Sequence, residues 1–399
     1  MTSREDIRET IRSHGLRLGF DKVGFAPVRL DGESERLRSW LAAGLHGEMT
    51  WLERNAARRT DAHASLPGAL TVVCCALNYY QGAPIDSPGR GVLSSYARGE
   101  DYHRVLEEKL DRYLDVIFDE TAVRGKAYVD TGPILEKAYA VAAGLGWLGK
   151  HSNLLSRHGS SWFFLGEILL PLALPADTPE HDRCGSCTRC MTACPTGAIV
   201  SPYVVDSRLC ISYLTIELRG PIPRALRPLV GRRIYGCDDC QDVCPWNRFA
   251  RKSEEERFFA REPLASMDLA DMLRLTRDRF LELTRGSAIR RARYAGFLRN
   301  VAVALGNSGD PSAVPVLVEA LDHEEPLVRG HAAWALAVIR DPRARAPLER
   351  RRDREDDAMV LDEIAAALQR FADATILREG KGRGGKLRGG GEKTEVTKS

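Results

Sequence analysis

The segment CGSCTRCMTACPTGA, residues 184–198, holds four cysteines within eleven positions and has a proline directly after the last of them. Their spacing is C-x2-C-x2-C-x3-C-P. A second group follows, made of a single Cys210 and the segment GCDDCQDVCPWN, residues 236–247, with the spacing C-x2-C-x3-C-P. Eight of the ten cysteines of the chain lie in these two groups. Thiols clustered in this way indicate a shared metal site when the compartment is reducing.

The first spacing is typical of bacterial sites for cubane [4Fe–4S] clusters. A tight loop with ligands three residues apart reaches three corners of a cubane, so the fourth thiolate has to arrive from elsewhere. In two-cluster proteins of this kind the cysteine before the proline crosses to the other cluster, a rule that here uses all eight thiols. The predicted ligands are Cys184, Cys187, Cys190 and Cys244 for cluster 1, and Cys194, Cys210, Cys237 and Cys240 for cluster 2.

Zinc is the alternative occupant, because paired C-x2-C segments also bind zinc. The third cysteine of the first group, the two Cys–Pro endings and the closure of the count at eight favour iron–sulfur clusters. The two remaining cysteines, Cys74 and Cys75, lie in the apolar segment TVVCCALN. They are predicted to be buried and chemically inert, because they have no electropositive neighbour in the sequence.

The rest of the chain divides into regions of different pattern, and the predicted fold class is a multidomain α+β/α-β protein. Residues 1–175 alternate helical and strand-like segments and predict an α/β domain, with strands near 21–28, 69–80, 126–130 and 161–170. Residues 176–252 form the predicted bacterial-ferredoxin-like domain, and residues 253–297 a helical connector.

Residues 298–375 contain an internal repeat. The segment VALGNSGDPSAVPVL, residues 303–317, recurs as WALAVIRDPRARAPL, residues 334–348, so that Asp310 aligns with Asp341. Each copy predicts two helices joined by an Asp-Pro turn, which is the pattern of short HEAT-like repeats. Such repeats bind macromolecules or cap a neighbouring domain, and the sequence leaves both roles open.

Charge and hydropathy restrict the location of the protein. The net charge is +3, and residues 378–399 carry seven Lys/Arg against three Glu, so the remainder carries about −1. Residues 376–399 are rich in glycine and lysine and predict a disordered basic tail. No apolar run reaches the roughly 18 residues of a membrane span. The N-terminal segment MTSREDIRET lacks the pattern of an export signal, so we expect a cytoplasmic protein without a membrane partner.

Two adjacent clusters pass electrons one at a time, so the much longer remainder of the chain implies a terminal electron acceptor in residues 1–175. Neither a G-x-G-x-x-G dinucleotide motif after an early strand nor a G-x4-GK[ST] motif is present. The segment DYHRVL shares Asp101 and His103 with the cobalamin-ligating pattern D-x-H-x-x-G, but Leu106 replaces the glycine. We therefore do not expect His103 to ligate cobalt.

Several segments, in their order along the chain, resemble the epoxyqueuosine reductase family. They are YARGEDYH (96–103), YVDTGPILEKAYAVAAGLGWLGKHSNLL (128–155), GSSWFFLGEILL (159–170) and the two cysteine segments, followed by the HEAT-like repeats. The resemblance implies that residues 1–175 bind base-off cobalamin without a histidine ligand and that the clusters reduce its cobalt. The implied substrate is epoxyqueuosine in the wobble position of a tRNA anticodon loop, which is reduced to queuosine, the last step of queuosine biosynthesis. An external electron donor such as ferredoxin or flavodoxin and a monomeric state are expected.

The resemblance also implies roles for individual residues. Asp130, at the end of the segment KAYVD, matches the proton donor of the family, and it can act so only if burial keeps it partly protonated. Its alternative role is to cap the turn DTGP. The expected cobalamin contacts are Arg58, Tyr96, Arg98, Tyr102, Asp130, Lys150, Ser152 and Asn153, with Arg59 as a further candidate beside Arg58. The expected tRNA contacts are Tyr213, Arg224, Arg227, Arg232 and Arg233, with Trp246 as a further stacking candidate.

Two other functions are compatible with the same pattern. One is a cobalamin-dependent reductive dehalogenase that acts on a small molecule, although enzymes of that kind usually carry an export signal and lack HEAT-like repeats. The other is a non-catalytic iron–sulfur module that transfers electrons on a helical scaffold.

Overall fold

The structure, a computed structural model, describes residues 3–30, 32–82, 87 and 89–382, with side chains described up to residue 373. The N-terminal region is built from six helices and seven strands in these residues. They are α1 (Arg4–Arg17), β1 (Lys22–Pro27), α2 (Glu33–Ala42), α3 (Thr50–Arg54), α4 (Ala56–Arg59), β2 (Thr71–Asn78), β3 (Val92–Leu93), α5 (Tyr102–Thr121), β4 (Lys126–Tyr128), α6 (Glu136–Ala142), β5 (Trp147–Leu148), β6 (Leu154–Leu155) and β7 (Phe163–Leu170).

The main sheet has the strand order β1-β2-β7-β4, and every neighbouring pair is antiparallel. All residues of β2 are buried, because the sheet is covered on both faces. Val73, Cys75 and Leu77 join the core under α1 and α5, whereas Val72 and Cys74 join the core under α6, as the two-residue period of a strand requires. Cys74 and Cys75 are fully buried, so the prediction of their burial is confirmed, and burial raises the pKa of both thiols well above the ordinary value.

The four strands predicted for this region are present, but the loop after the third strand differs from the prediction. Strand β4 ends at Tyr128, and helix α6 begins at Glu136, three residues later than the predicted start at Pro133. The intervening loop turns sharply because Asp130 has a φ of 47°, in the left-handed region. This turn directs Asp130 away from the sheet.

The cysteine-rich region consists of short elements: α7 (Arg189–Ala193), β8 (Ile199–Ser201), β9 (Val204–Val205), α8 (Ile211–Ile216), α9 (Arg227–Val230), β10 (Arg233–Tyr235) and α10 (Asp239–Asp242). Strand β10 pairs in parallel with β3 and thereby joins this region to the N-terminal region. In the predicted helical connector, α-helix begins only at residue 269, with α11 (Leu269–Leu273) and α12 (Arg277–Leu283). Its first half is mostly irregular and includes a cis peptide bond before Pro263.

The C-terminal region is helical throughout and contains the predicted repeats. Its helices are α13 (Tyr294–Ser308), α14 (Val314–Glu319), α15 (Pro326–Ile339), α16 (Arg345–Arg352) and α17 (Ala358–Gly382). The aligned residues Asp310 and Asp341 have the same role, since each carboxylate accepts a hydrogen bond from the backbone N–H two residues later, at 2.8 and 2.9 Å. Helix α17 continues past residue 375, the predicted end of the repeats, and residues 383–399 of the predicted tail lie outside the described residues.

The repeats are fastened to the cysteine-rich region by a buried arginine. Arg299 of α13 is fully buried and donates hydrogen bonds to the backbone carbonyls of Leu214, Leu218 and Gly220, at 2.6, 2.9 and 2.7 Å. The neighbouring Asn300 side chain donates to the carbonyls of Thr215 and Ile234. A buried guanidinium is tolerated only when its donors are satisfied in this way. Arg299 therefore stabilises the contact between the repeats and the cysteine-rich region.

Candidate active site and cluster cavities

Four of the predicted cluster ligands surround one small cavity. The cavity has a volume of about 180 Å³, and Cys184, Cys187, Cys190 and Cys244 all line it. Lys150 holds the loop that carries the first two, because its Nζ donates to the carbonyls of Gly185 and Cys187 at 2.6 and 2.9 Å. Four thiols around a cavity of this size are a donor set that fits one cubane cluster.

The other four cysteines line a second cavity, which we call the inner cavity, of about 440 Å³. Cys194, Cys210, Cys237 and Cys240 lie on one side of it, and Asp130, Tyr96, Tyr102, Ser152 and Asn153 also line it. The four cysteines assigned to cluster 2 therefore line the same space as the predicted proton donor. The assignment of individual cysteines to two clusters agrees with this arrangement and stays a prediction.

A third and larger cavity, of about 1110 Å³, adjoins the inner one, and we call it the outer cavity. The two share Tyr96, Tyr102, Asp130 and Cys210 among their lining residues. The ring of Tyr102 stacks on Phe164 with centroids 4.2 Å apart, which gives the shared wall a flat apolar surface.

The resemblance implies cobalamin as the cofactor, and two buried polar atoms test whether these cavities fit it. Arg59 Nε borders the outer cavity and His151 Nε2 the inner one, and both are buried without a hydrogen-bond partner among the described residues. Buried polar atoms without a hydrogen-bond partner are rare in folded proteins. These two nitrogens could donate to the amide and phosphate groups of a large ligand, and the flat wall at Tyr102 suits the ring system of such a ligand.

A hydrogen-bonded group of three side chains lies where the two cavities meet. His103 contacts Asp101 through Nδ1 at 2.7 Å and Asp130 through Nε2 at 3.2 Å. Burial opposes the charge on the ring, but the two carboxylates outweigh it and raise the pKa of His103 to about 9. The imidazole is therefore protonated at neutral pH.

The same contact corrects an expectation for Asp130. A raised pKa was predicted for this carboxyl, and burial does act in that direction. The hydrogen bond from His103 and its positive charge nevertheless lower the pKa of Asp130 below its ordinary value. At neutral pH the proton of the pair thus lies on His103, and Asp130 is the carboxylate that faces the cavity, with 57% of its side chain accessible.

Two glutamates lie behind this group. The backbone N–H of Asp130 donates to Glu136 Oε1, and burial together with the nearby Asp130 raises the pKa of Glu136 to about 8. Glu167 of β7 is fully buried, and its pKa is raised well above the ordinary value by burial and by Glu136. Lys137 borders the inner cavity and donates to Ser152 O and Asn153 Oδ1, both at 2.9 Å.

Three of the expected cobalamin contacts lie elsewhere. Lys150 is occupied with the loop of the first cysteine group, as described above. Arg98 donates Nε and Nη2 to the carbonyl of Leu93 and lines neither the inner nor the outer cavity. Arg58 is exposed on α4, and its neighbour Arg59 reaches the outer cavity instead. These corrections follow from side-chain direction on short elements, which residue type does not determine.

The arginines of the basic cluster predicted to contact tRNA are engaged within the protein. Arg227 is buried and pairs with Glu363 at 2.7 Å, and Arg224 pairs with Asp362 at 2.6 Å. Arg233 pairs with Asp239, and Arg232 donates to the carbonyl of Ser87 at 2.5 Å. Tyr213 lines the outer cavity, but it is nearly buried and its hydroxyl accepts a hydrogen bond from the backbone of Glu48 at 2.8 Å. Trp246 packs beside the first cysteine group, against Trp147.

Sequence reasoning missed three other side chains that line the outer cavity. Trp51 lies there with Arg290 and Arg291, and the Arg291 guanidinium is 5.0 Å from the centroid of the Trp51 ring. The signal that could have found the arginines is the segment AIRRAR, residues 288–293, in the stretch that was predicted only as a charged helical connector.

The structure has two candidate cluster sites and a large double cavity, with the His103–Asp130 pair where the two parts of that cavity meet. These features are those of an iron–sulfur reductase. Comparison with protein-family models gives three matches to the chain: "Epoxyqueuosine reductase QueG, DUF1730" over residues 59–131, "4Fe-4S double cluster binding domain" over 183–247 and "HEAT repeats" over 286–369. The cluster match falls within the region predicted for it, whereas the repeat match begins at residue 286, inside the predicted connector, and overlaps the predicted repeats over 298–369.

Curated relatives identify the family. The chain is 45% identical to the epoxyqueuosine reductase of Escherichia coli strain K12 over 337 residues, which covers 83% of this chain and 89% of that protein. It is 43% identical to the epoxyqueuosine reductase of Pseudomonas aeruginosa over 341 residues, which covers 83% of this chain and 94% of that protein. The chain belongs to the epoxyqueuosine reductase family.

Solved structures agree with this assignment. An epoxyqueuosine reductase crystallised with an epoxyqueuosine-modified tRNA-Tyr stem loop has a TM-score of 0.87 and 31% identity, covering 93% of this chain and all of that one. The Bacillus subtilis epoxyqueuosine reductase, captured with its catalytic aspartate loop swung out of the active site, has a TM-score of 0.85 and 31% identity, covering 92% of this chain and all of that one.

The predicted enzyme class and cofactors are thereby confirmed. The protein is an oxidoreductase that reduces epoxyqueuosine to queuosine, and its cofactors are two [4Fe–4S] clusters and cobalamin. The reductive dehalogenase and the non-catalytic electron-transfer module are set aside as alternatives. Among the helices of the described residues, none has the length and apolar character to cross a bilayer.

Proposed function

We propose that this chain reduces epoxyqueuosine in the wobble position of a tRNA anticodon loop, with His103 and Asp130 as the source of the proton that removes the oxygen. The single observation that carries the proposal is the contact of His103 with both Asp101 and Asp130 at the junction of the two cavities. Conversion of an epoxide to an alkene consumes two electrons and two protons and releases water, so a proton source has to border the substrate.

The proton is held on His103 and delivered through Asp130. His103 Nε2–H donates to Asp130 Oδ2 at 3.2 Å, and the rest of the Asp130 carboxylate faces the cavity. When negative charge develops on the epoxide oxygen, a proton moves from the imidazolium to the carboxylate and on to that oxygen. Cobalamin, when bound, supplies the electrons that the clusters deliver one at a time.

The cofactor occupies the two cavities in this proposal. Tyr96 and Tyr102 form the wall common to both, and Ser152 and Asn153 border the inner cavity, where their polar groups suit the corrin side-chain amides. His103 is engaged with two carboxylates and would therefore hold a proton and not the metal of the cofactor. The cysteines assigned to cluster 2 line the same inner cavity, so cluster 2 would be the one that supplies electrons to a cofactor held there, and cluster 1 would supply cluster 2.

The anticodon loop enters at the outer cavity. Arg290 and Arg291 supply positive charge for phosphates, and the Trp51 ring provides a surface on which an unstacked base can lie. We further propose that the protein acts in the cytoplasm as a monomer and receives electrons from a carrier such as ferredoxin or flavodoxin.

The function is tested with anaerobically reconstituted protein and a tRNA stem loop that carries epoxyqueuosine, followed by nucleoside digestion. Queuosine is expected to appear with the wild-type protein. Asp130→Asn should retain iron and cobalamin but lose about 10²- to 10⁴-fold in turnover, the range that a positioned proton donor contributes. An Asp130→Asn protein with full turnover would refute the role of this residue.

The role of His103 is tested through the pH dependence of turnover. Because the imidazolium is the proton donor, the rate should fall as the pH rises through about 9. Asp101→Asn removes one negative charge but keeps a side chain able to accept the N-cap hydrogen bond of α5, so the pKa of His103 should drop and the loss of rate should begin at lower pH. An unchanged pH profile in Asp101→Asn would contradict the assignment.

A further inference from the structure

The cavity of cluster 1 has a basic rim. Arg183, Arg189 and Arg248 line this cavity, all three are exposed, and none forms an ion pair with the described part of the chain. Beside them lies Phe249, which is 39% exposed and packs against the Arg248 guanidinium at 4.6 Å. Cys184 and Cys187 are themselves partly exposed here. This group of three arginines and Phe249 is called the cluster 1 rim.

We propose that the cluster 1 rim is the docking surface for a small acidic protein that carries single electrons. The inference rests on the proposed route from cluster 1 through cluster 2 to the inner cavity. Each turnover consumes two electrons, which must enter at the cluster more remote from the substrate. Arginines without acidic partners attract a negatively charged carrier and orient it, while an exposed aromatic side chain gives an apolar contact at the centre of a short-lived complex.

RNA phosphates would also be attracted to these arginines, but the position of the reaction favours a protein. The reacting base has to reach the space beside Asp130, and the outer cavity there has its own arginines, Arg290 and Arg291. The rim surrounds a different cavity, whose sulfurs belong to the four cysteines assigned to cluster 1. A carrier on the rim is therefore close to the cluster that it reduces.

The test compares wild-type protein with the variant Arg183→Glu/Arg189→Glu/Arg248→Glu, both with their cofactors. Reduction of the clusters is followed optically by stopped flow, with a reduced acidic ferredoxin and with reduced methyl viologen as a small carrier-independent reductant. The ratio of the two rates should fall about 10- to 100-fold in the variant at low salt and converge with the wild-type ratio at high salt. A matched control reverses Arg345, Arg352 and Arg354, which lie in and just after α16, and should leave the ratio unchanged.

The outcomes separate the docking surface from the function itself. An unchanged ratio in the rim variant, or a loss of affinity for the tRNA stem loop in place of a loss of ferredoxin-driven reduction, would overturn the docking surface. Absence of queuosine when wild-type protein is driven by methyl viologen would instead refute the proposed function.

Discussion

Two groups of arginines in this protein lie in different surroundings. In the segment 224–233 the arginines face acidic side chains or carbonyls of the same chain, as in the pair of Arg227 with Glu363. In the segment 290–291 both arginines border the outer cavity, where Arg291 pairs with Glu217 and Arg290 forms no ion pair with the described residues. Positive charge in a sequence thus indicates a nucleic-acid surface only when the fold brings that charge to the edge of a cavity that the nucleic acid can reach.

The largest expected effect comes from replacing the arginines of the segment 224–233. Arg227 donates Nη1 and Nη2 to Glu363 and Nε to the carbonyl of Ile222, all within 2.9 Å. Arg227→Met leaves the buried Glu363 without its main partner and should lower the free energy of unfolding by about 3–5 kcal/mol, measured by thermal or denaturant unfolding. Arg224→Met, at a position 40% exposed, should cost about 1 kcal/mol or less. A tRNA affinity lost at unchanged stability would restore the original assignment of these arginines.

The next largest effect concerns the Trp51 ring, on which we propose that a base of the anticodon loop stacks. Trp51 lies under the Arg291 guanidinium at the outer cavity, so an inserted base can stack on its ring. Trp51→Ala should weaken binding of the anticodon stem loop by about 1–3 kcal/mol, measured by fluorescence anisotropy. Phe259→Ala serves as the control, because this aromatic side chain is 48% exposed and does not line the outer cavity. Equal affinities of Trp51→Ala and the wild type would contradict base stacking at this site.

The difference between the two arginine groups also explains what the sequence could predict. The cysteine positions are constrained locally by the geometry of a cluster, so their spacing was sufficient to predict two groups of four. The buried strands were equally visible as apolar runs such as residues 71–78. The partner of Arg227 is 136 residues away in sequence, and no local pattern indicates it.

The candidate active site was only partly predictable for the same reason. Asp130 was found through a resemblance, but its pKa depends on His103, which is 27 residues earlier and came together with it only in the fold. The sequence pattern placed His103 in a motif for cobalt and then excluded it, which left its role as a proton carrier unseen. Side-chain direction on short loops likewise separated Ser152 and Asn153, which reach the inner cavity, from Lys150, which does not.

A smaller effect is expected from Arg291 at the outer cavity. Arg291 is half exposed, and its pair with Glu217 lies at the surface, so Arg291→Ala should change the unfolding temperature little. It should weaken stem-loop binding about tenfold and reduce the slope of log affinity against log salt by about 0.7, the value for one phosphate of a single strand. Arg345→Ala, on the repeats, is the matched control and should leave both quantities unchanged. A salt slope equal to that of the wild type would show that Arg291 contacts no phosphate.

The smallest expected effect concerns the turn that holds Arg290 and Arg291 at the outer cavity. Ser287 precedes the turn of 3-10 helix at Ala288–Ala292 that carries Arg290 and Arg291, and its hydroxyl accepts a hydrogen bond from the backbone N–H of Ile289 at 3.3 Å. Ser287→Ala removes this cap, so the turn should hold the arginines less firmly and stem-loop binding should weaken about two- to fivefold, as the loss of about 0.5–1 kcal/mol requires. Ser287→Thr should retain the cap and the affinity. The control is Thr276→Ala, which removes a similar cap from α12 and should lower stability without changing the affinity. If both alanine variants weakened binding equally, the arginines would depend on the overall stability of the region and not on the turn that carries them.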